Sequence, residues 1–297
     1  MIEKKIHRAG FVNIIGNPNV GKSTLMNRLV GEQLSIVTSK AQTTRHRIKG
    51  IVNGDDYQIV YSDLPGILTP AYKMQELMMH LVNESLKDAD VVLYLIECGE
   101  TNYKQEIIEK LQQLSTPLLL VINKIDKATE DTIMATKSYW KNLLPQAKAI
   151  EISALTGKFV NLLLEEITIL LPESPPFFPK DELTDRPMRF FISEIIREKI
   201  LLLYKKEIPY SVEVVVESYK EEDNIVRIGT MLYCERESQK GIIIGNKGSA
   251  IKQLGIEARK AIEYFLEKHV FLDISVKVLK DWRNQELPMK QFGYYQN

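Results

Sequence analysis

The chain has 297 residues, 44% of them hydrophobic and 26% charged, with 39 basic side chains against 39 acidic ones and two cysteines. Such a length and apolar share suit two domains with separate cores and exclude wholesale disorder. Zero formal net charge excludes a global positive field, so a nucleic-acid partner has to be met by a local patch; residues 1–187 carry 21 basic against 23 acidic side chains, residues 188–297 carry 18 against 16.

No stretch approaches the roughly 18 apolar residues of a spanning helix, and Met1-Ile2-Glu3-Lys4-Lys5 lacks the apolar core of a signal peptide. A cytoplasmic protein is expected. Cys98 and Cys234 are far apart and outside any ligand spacing, so both are read as reduced thiols inside strands. His7, His46, His80 and His269 show no ligand spacing either.

In chain order, residues 11–15 read as a short buried strand and residues 23–30 as a helix closed by Gly31. Between them runs Gly16-Asn17-Pro18-Asn19-Val20-Gly21-Lys22-Ser23-Thr24, with two glycines, a lysine and a hydroxyl at the spacing that wraps the phosphates of a nucleotide. Backbone N–H groups of residues 19–24 form an anion nest, Lys22 reaches the β- and γ-phosphates, Ser23 offers its hydroxyl to Mg²⁺, and the helix dipole adds positive potential. Residues 32–46 are polar and strand-poor, a mobile loop ending in Gln42-Thr43-Thr44-Arg45. Thr44 is the chosen second hydroxyl for Mg²⁺, with Thr43 as its rival. Arg45 is read as an exposed loop arginine, an arginine finger being the alternative.

Two strands, residues 47–53 and 57–62, flank Asn53-Gly54, a hairpin signal. The second runs into Asp63-Leu64-Pro65-Gly66, where Asp63 is placed to hold Mg²⁺ and the Gly66 amide to meet the γ-phosphate. Lys22, Thr44, Asp63 and Gly66 are thus the expected catalytic set. Ile67, next in the chain, has no side-chain group that could polarise water. Helices and strands then alternate as in a doubly wound sheet, and the strand 118–122 delivers Asn123-Lys124-Ile125-Asp126 at its carboxyl end. A carboxylate at Asp126 can accept from both N1–H and the 2-amino group of guanine, which adenine does not offer. Asn123 braces the loops, the Lys124 stem lies over the ring, and Ser153-Ala154-Leu155 can present a backbone N–H to the guanine O6. Met74, Met78 and Met79 lie at helical spacing and are read as packing residues.

Residues 172–187 include Pro172, Pro175, Pro176, Pro179 and Pro187, which reads as a stiff extended linker between a domain of residues 1–171 and one of residues 188–281. The second domain reads helix, strand, strand, helix, helix, strand, with Gly245-Asn246-Lys247-Gly248 between its last two helices. That order is KH-like. Such a G-x-x-G turn lets a nucleic-acid backbone come close, with Lys247 and Lys252 adding charge and apolar Ile242, Ile243, Ile244 and Ile251 lining a groove for bases. Residues 282–297 are left as an unassigned tail.

Four motifs in this order, each at a strand end, resemble the translation-factor-related class of small GTPases. Together with Gln42-Thr43-Thr44-Arg45 and the G-x-x-G turn, nearly the whole chain resembles the Era-like GTPase family of bacteria. The resemblance implies a P-loop GTPase domain, an α/β fold with a doubly wound mixed sheet, followed by a smaller α+β type II KH domain. It further implies GTP and GDP as ligands, hydrolysis coupled to binding of the 3′ end of 16S ribosomal RNA during 30S subunit assembly, and some peripheral association with the inner face of the cell membrane. A monomer is expected. Relatives with asparagine at the position of Asn19 can use K⁺ against the phosphates, which leaves Asn19 open as a K⁺ ligand or as a brace of the loop. Leu64 stands where the family usually has threonine, and the tail is unlike the usual ending. The rival is a signalling or membrane-surface GTPase whose C-terminal domain binds lipid or protein through Lys247, Lys252, Arg259 and Lys260; Asn123-Lys124-Ile125-Asp126 disfavours a P-loop kinase or ATPase.

Overall fold

The computed structural model describes residues 6–295; residues 1–5, on which the absence of a signal peptide was read, and residues 296–297 of the tail lie outside the described residues. Two compact units emerge: Met1–Ser35, Thr44–Thr69 and Met78–Asp185 make the first, and Ile36–Thr43, Pro70–Leu77 and Arg186–Asn297 the second.

The first half of the chain alternates strands and helices: β1 (Arg8–Ile15), α1 (Lys22–Val30), β2 (Ile48–Asn53), β3 (Tyr57–Asp63), α2 (Lys73–Ser85), β4 (Val91–Glu97), α3 (Gln105–Gln112), β5 (Leu118–Asn123), α4 (Glu130–Leu143), β6 (Lys148–Glu151) and α5 (Val160–Leu170). The strands form one sheet in the order β2-β3-β1-β4-β5-β6, parallel except for β2, which pairs antiparallel to β3 through the expected hairpin. Covered on both faces by helices, β4 and β5 read as continuous apolar runs, and every residue of both is buried except Glu97. Because the order turns back at β1, with β3 on one side and β4 on the other, a crevice opens beyond the carboxyl ends of these strands. Both cysteines are free; Cys98 lies one residue beyond β4 rather than inside a strand, while Cys234 is buried at the end of its strand.

The proline-rich stretch is extended, yet it is docked rather than free. Phe177 and Phe178 N–H groups both donate to Gln58 Oε1, Ile51 N–H donates to Leu183 O at 2.8 Å, and Thr184 Oγ1 donates to Lys49 O at 2.7 Å. The last two bonds satisfy backbone groups of β2 on the side away from β3. Residues 172–185 therefore belong with the first unit.

The second unit contains α6 (Met188–Leu203), α7 (Ile208–Ser211), β7 (Glu213–Glu221), β8 (Val226–Cys234), α8 (Glu237–Ile244), α9 (Ser249–Leu266), β9 (Val270–Val278) and α10 (Glu286–Gln291). Its sheet runs β7-β8-β9, antiparallel then parallel, and α8 and α9 make the crossover that a parallel pair requires. Apolar residues at four-residue spacing, Ile192, Ile196 and Ile200 on α6 and Leu254, Ala258 and Ile262 on α9, close its core over Ile228 and Leu232 of β8.

The tail is an integral part of this unit. Trp282 is fully buried, donates from Nε1 to Ser211 O at 3.0 Å, and packs on the rings of Phe292 and Tyr294 at 5.4 and 6.2 Å. Tyr294 in turn donates its hydroxyl to Glu213 Oε2 at 2.7 Å. Trp282→Ala is expected to destabilise the second unit by about 3–5 kcal/mol, the usual cost of emptying a buried tryptophan site. Denaturant titration of the full chain, followed by far-UV circular dichroism, checks this; a shift worth less than about 1 kcal/mol would place Trp282 outside the core.

Candidate nucleotide site and candidate nucleic-acid turn

The phosphate-binding segment forms the turn between β1 and α1. Gly21 has φ +103°, and a Cβ there would lie 2.4 Å from Asn123 Nδ2, so only glycine lets the loop meet the end of β5. Asn123 uses that proximity: its Nδ2 donates to Val20 O at 2.8 Å and its Oδ1 accepts from Ala154 N–H at 2.9 Å. One side chain thus ties the first and last of the four motifs together. Lys22 Nζ donates to Gly16 O at 3.1 Å and Asn17 O at 2.8 Å. Burial pushes its pKa down to about 8, while the carboxylates of Asp63 and Glu100 pull it up.

Three oxygens converge where Mg²⁺ was expected. Asp63 Oδ2 accepts from Ser23 Oγ at 2.7 Å and Thr44 Oγ1 at 3.1 Å, and those two hydroxyls lie 3.1 Å apart. Asp63 is fully buried, which raises its pKa above the usual carboxylate range against the pull of Ser23, Lys22, Ser35 and Thr44. Its Oδ1 is buried with no hydrogen-bond donor. An all-oxygen set with an unsatisfied carboxylate oxygen fits a hard divalent cation. Thr43, the rival, turns its hydroxyl to Thr38 Oγ1 and Lys40 O.

Gly66 packs against the loop, since a Cβ on it would sit 2.9 Å from Pro18 Cα, and Ile67 N–H donates to Gly16 O at 3.1 Å. The side chains of Leu64 and Ile67 are buried in the core beside β4 and β5 rather than facing the loop. Arg45, expected at the surface, is 1% exposed. Residues 44–48 are all buried because the chain is already turning into β2 there, which overturns the exposed-loop reading. Asn19 is exposed with φ +65°, and Thr24 is half-buried on α1.

At the base-reading end, Asp126 is exposed on a single 3-10 turn, Ile125–Lys127, and its Oδ1 accepts from the buried Ser153 hydroxyl at 2.6 Å. Lys124, in the left-handed region at φ +64°, pairs with Glu97. Of the three amides offered by Ser153-Ala154-Leu155, that of Ser153 donates to Lys158 O and that of Ala154 to Asn123 Oδ1. The Leu155 amide is the one left for a ligand.

In the second unit Gly245, Lys247 and Gly248 all have positive φ, at 74°, 48° and 78°, and Asn246 and Lys247 project into solvent on the turn between α8 and α9. Ile244 and Ile251 flank it half-buried, Lys252 is exposed, Ile242 is 52% exposed, and Ile243 belongs to the core. Among the described residues no group of histidine, cysteine, aspartate and glutamate is gathered as a metal centre, and no helix is long and apolar enough to cross a membrane.

A family model described as 50S ribosome-binding GTPase matches residues 11–124, and a KH domain model matches residues 207–283. GTPase Era of Syntrophus aciditrophicus is 45% identical over 291 residues, 97% of this chain and 95% of that protein. The chain belongs to the Era GTPase family. A GTPase Era from Geotalea uraniireducens is likewise 45% identical across 99% of this chain and its own full length. Among solved structures, a point variant of Aquifex aeolicus Era bound to GDP.AlF4⁻ superposes with a TM-score of 0.91 at 36% identity, covering 97% of this chain and 100% of that one. Era in complex with MgGDPNP and nucleotides 1506–1542 of 16S ribosomal RNA gives the same TM-score and identity over 98% of this chain and 100% of its own. The expected fold, a P-loop GTPase domain with a mixed sheet followed by a KH domain, and GTP hydrolysis as the activity are those of the Era family.

Sequence reading missed two residues that touch these motifs. Glu97 holds Lys124, and Glu100 accepts from Asn17 of the phosphate loop. Neither stands in a motif; the signal available was two carboxylates at the exit of the strand that runs beside β1.

Proposed function

We propose that this chain is a GTP-driven switch that binds 16S ribosomal RNA near its 3′ end and assists assembly of the 30S subunit. The observation that carries the reading is the solvent-facing Gly245-Asn246-Lys247-Gly248 turn, in a chain that also brings Ser23, Thr44 and Asp63 together. The Era relative solved with MgGDPNP and nucleotides 1506–1542 of 16S ribosomal RNA supports it. In this reading Ser23, Thr44 and Asp63 hold Mg²⁺, Lys22 and the loop amides of residues 19–24 grip the phosphates, Gly66 senses the γ-phosphate, and Asp126 reads guanine. Mg²⁺ would supply charge neutralisation of the β- and γ-phosphate oxygens. Asn19, exposed at the rim of the loop, is the position for K⁺. With Ile67 buried, no side chain at that position orients the attacking water, so intrinsic turnover is slow. The protein acts as a cytoplasmic monomer with a peripheral contact to the inner face of the membrane.

The test is replacement of both Asn246 and Lys247 by aspartate. Two carboxylates facing a phosphate backbone replace one amide and one ammonium, so binding to a 16S 3′-end oligonucleotide should fall at least tenfold, and its steep salt dependence should flatten. Intrinsic GTP hydrolysis should stay at the parental rate. Equal RNA affinity in parent and variant would sink the RNA-binding reading and turn attention to lipid or protein ligands for this unit.

A further inference from the structure

We infer that Glu100 is a positioning residue for nucleotide binding, its carboxylate bracing the phosphate loop from behind through the side-chain amide of Asn17. Asn17 Nδ2 donates to Glu100 Oε1 at 2.6 Å and to Asn102 O at 2.9 Å, while the Asn17 carbonyl accepts from Lys22 Nζ at 2.8 Å. The residue that receives the lysine is therefore the one that is pinned. The far end of the brace is itself fixed. Glu100 Oε2 accepts from Glu97 N–H at 3.0 Å, and the Glu100 carbonyl accepts from the indole N–H of Trp140 at 2.8 Å. Trp140 is fully buried, with the rings of Tyr94 and Tyr103 at 5.5 and 5.9 Å. Because Glu97, the last residue of β4, also holds Lys124, the end of β4 and the residues just after it touch both the phosphate loop and the base-reading turn.

The charge on Glu100 makes the inference decidable. A carboxylate next to a triphosphate site opposes anion binding, so electrostatics alone predicts tighter binding when it is removed. A brace predicts the reverse, because a loop that has lost its anchor must be ordered at the expense of binding free energy. The two accounts differ in sign.

The inference rests on the P-loop reading of residues 16–24, and Lys22→Ala run in parallel separates the two. Affinities for GTP and GDP should be measured for Asn17→Ala, Glu100→Ala and the double variant, with single-turnover hydrolysis at saturating GTP and melting of the nucleotide-free protein. Each single variant is expected to bind both nucleotides about tenfold more weakly, and the double variant to lose far less than the product of the two, since the Asn17–Glu100 bond they share is lost only once. Hydrolysis by Glu100→Ala at saturating GTP should stay within about twofold of the parent and its melting should be unchanged, because the Glu100 side chain is half exposed. Unchanged or tighter binding in Glu100→Ala, about hundredfold loss in the double variant, or a lowered melting midpoint of Glu100→Ala would each overturn the brace. If Lys22→Ala binds GTP like the parent, the P-loop reading falls instead.

Discussion

Lys22→Ala is expected to remove GTP turnover, by about 10²–10³-fold or more, while leaving the nucleotide-free protein as stable as the parent or more so at neutral pH. The two effects share one cause. Lys22 is 6% exposed, and its ammonium is met by the carbonyls of Gly16 and Asn17, with no carboxylate in direct contact. Burying that cation costs the apo fold free energy that phosphate oxygens would recover on binding. The pKa depression to about 8 gives the sign. Below pH 8 the lysine is charged in both folded and unfolded chains and the fold bears the full desolvation cost. Between pH 8 and 10.5 the unfolded chain binds the extra proton, so the stability of the parent rises with pH there. The stability advantage of Lys22→Ala should thus be largest below pH 8 and fade as pH rises towards 10.5. Turnover assays together with apo melting from pH 6 to 10 check both halves. Parental turnover would exclude Lys22 from phosphate binding, and a marked loss of stability at pH 7 would refute the burial argument.

Asp126→Asn should redirect base choice from guanine to xanthine. Ser153 Oγ donates to Asp126 Oδ1 at 2.6 Å, which fixes the carboxylate plane, and the residue sits exposed at the end of β5 where a base can reach it. A carboxylate accepts from N1–H and the 2-amino group together. An asparagine offers one acceptor and one donor, so its NH₂ meets the amino group of guanine donor to donor. In xanthine an oxygen replaces that amino group and the mismatch becomes a match. Sites built around such hydrogen bonds reject the wrong partner strongly, so GTP affinity should fall about 10²-fold or more while XTP affinity rises. Competition of both nucleotides against a fluorescent guanine nucleotide measures this. GTP binding as tight as in the parent would remove Asp126 from base recognition.

Motifs whose chemistry lies within a few residues were legible in the chain: the phosphate loop, Asp63 at a strand end, Asn123 to Asp126, and the G-x-x-G turn. Thr44 could be favoured over Thr43 from sequence, but only the shared bonds to Asp63 and Ser23 distinguish them in space. What stayed hidden depends on pairs distant along the chain. Asn17 and Glu100 are 83 positions apart, and no periodicity joins them. Arg45 is buried despite its polarity because its position at the entry to β2 decides its exposure. The tail looked featureless because its apolar residues, Trp282, Met289 and Tyr294, follow no helical or strand period; they are buried by packing onto a unit formed by earlier residues. The prolines correctly indicated an extended chain, yet stiffness says nothing of what an extended chain lies against.

That docked stretch has a consequence for behaviour at high concentration. A six-stranded open sheet has two borders, and each is a template on which another molecule can add a strand. One border, β6, is only four residues long and begins with an exposed lysine. The other, β2, is longer, but Leu183 and Thr184 already occupy its backbone groups at Ile51 and Lys49. The protein thus carries its own blocking segment against intermolecular sheet growth. A proteolytic cut within residues 172–185 would lift it, so that a chain with its nucleotide site intact becomes prone to aggregate through β2.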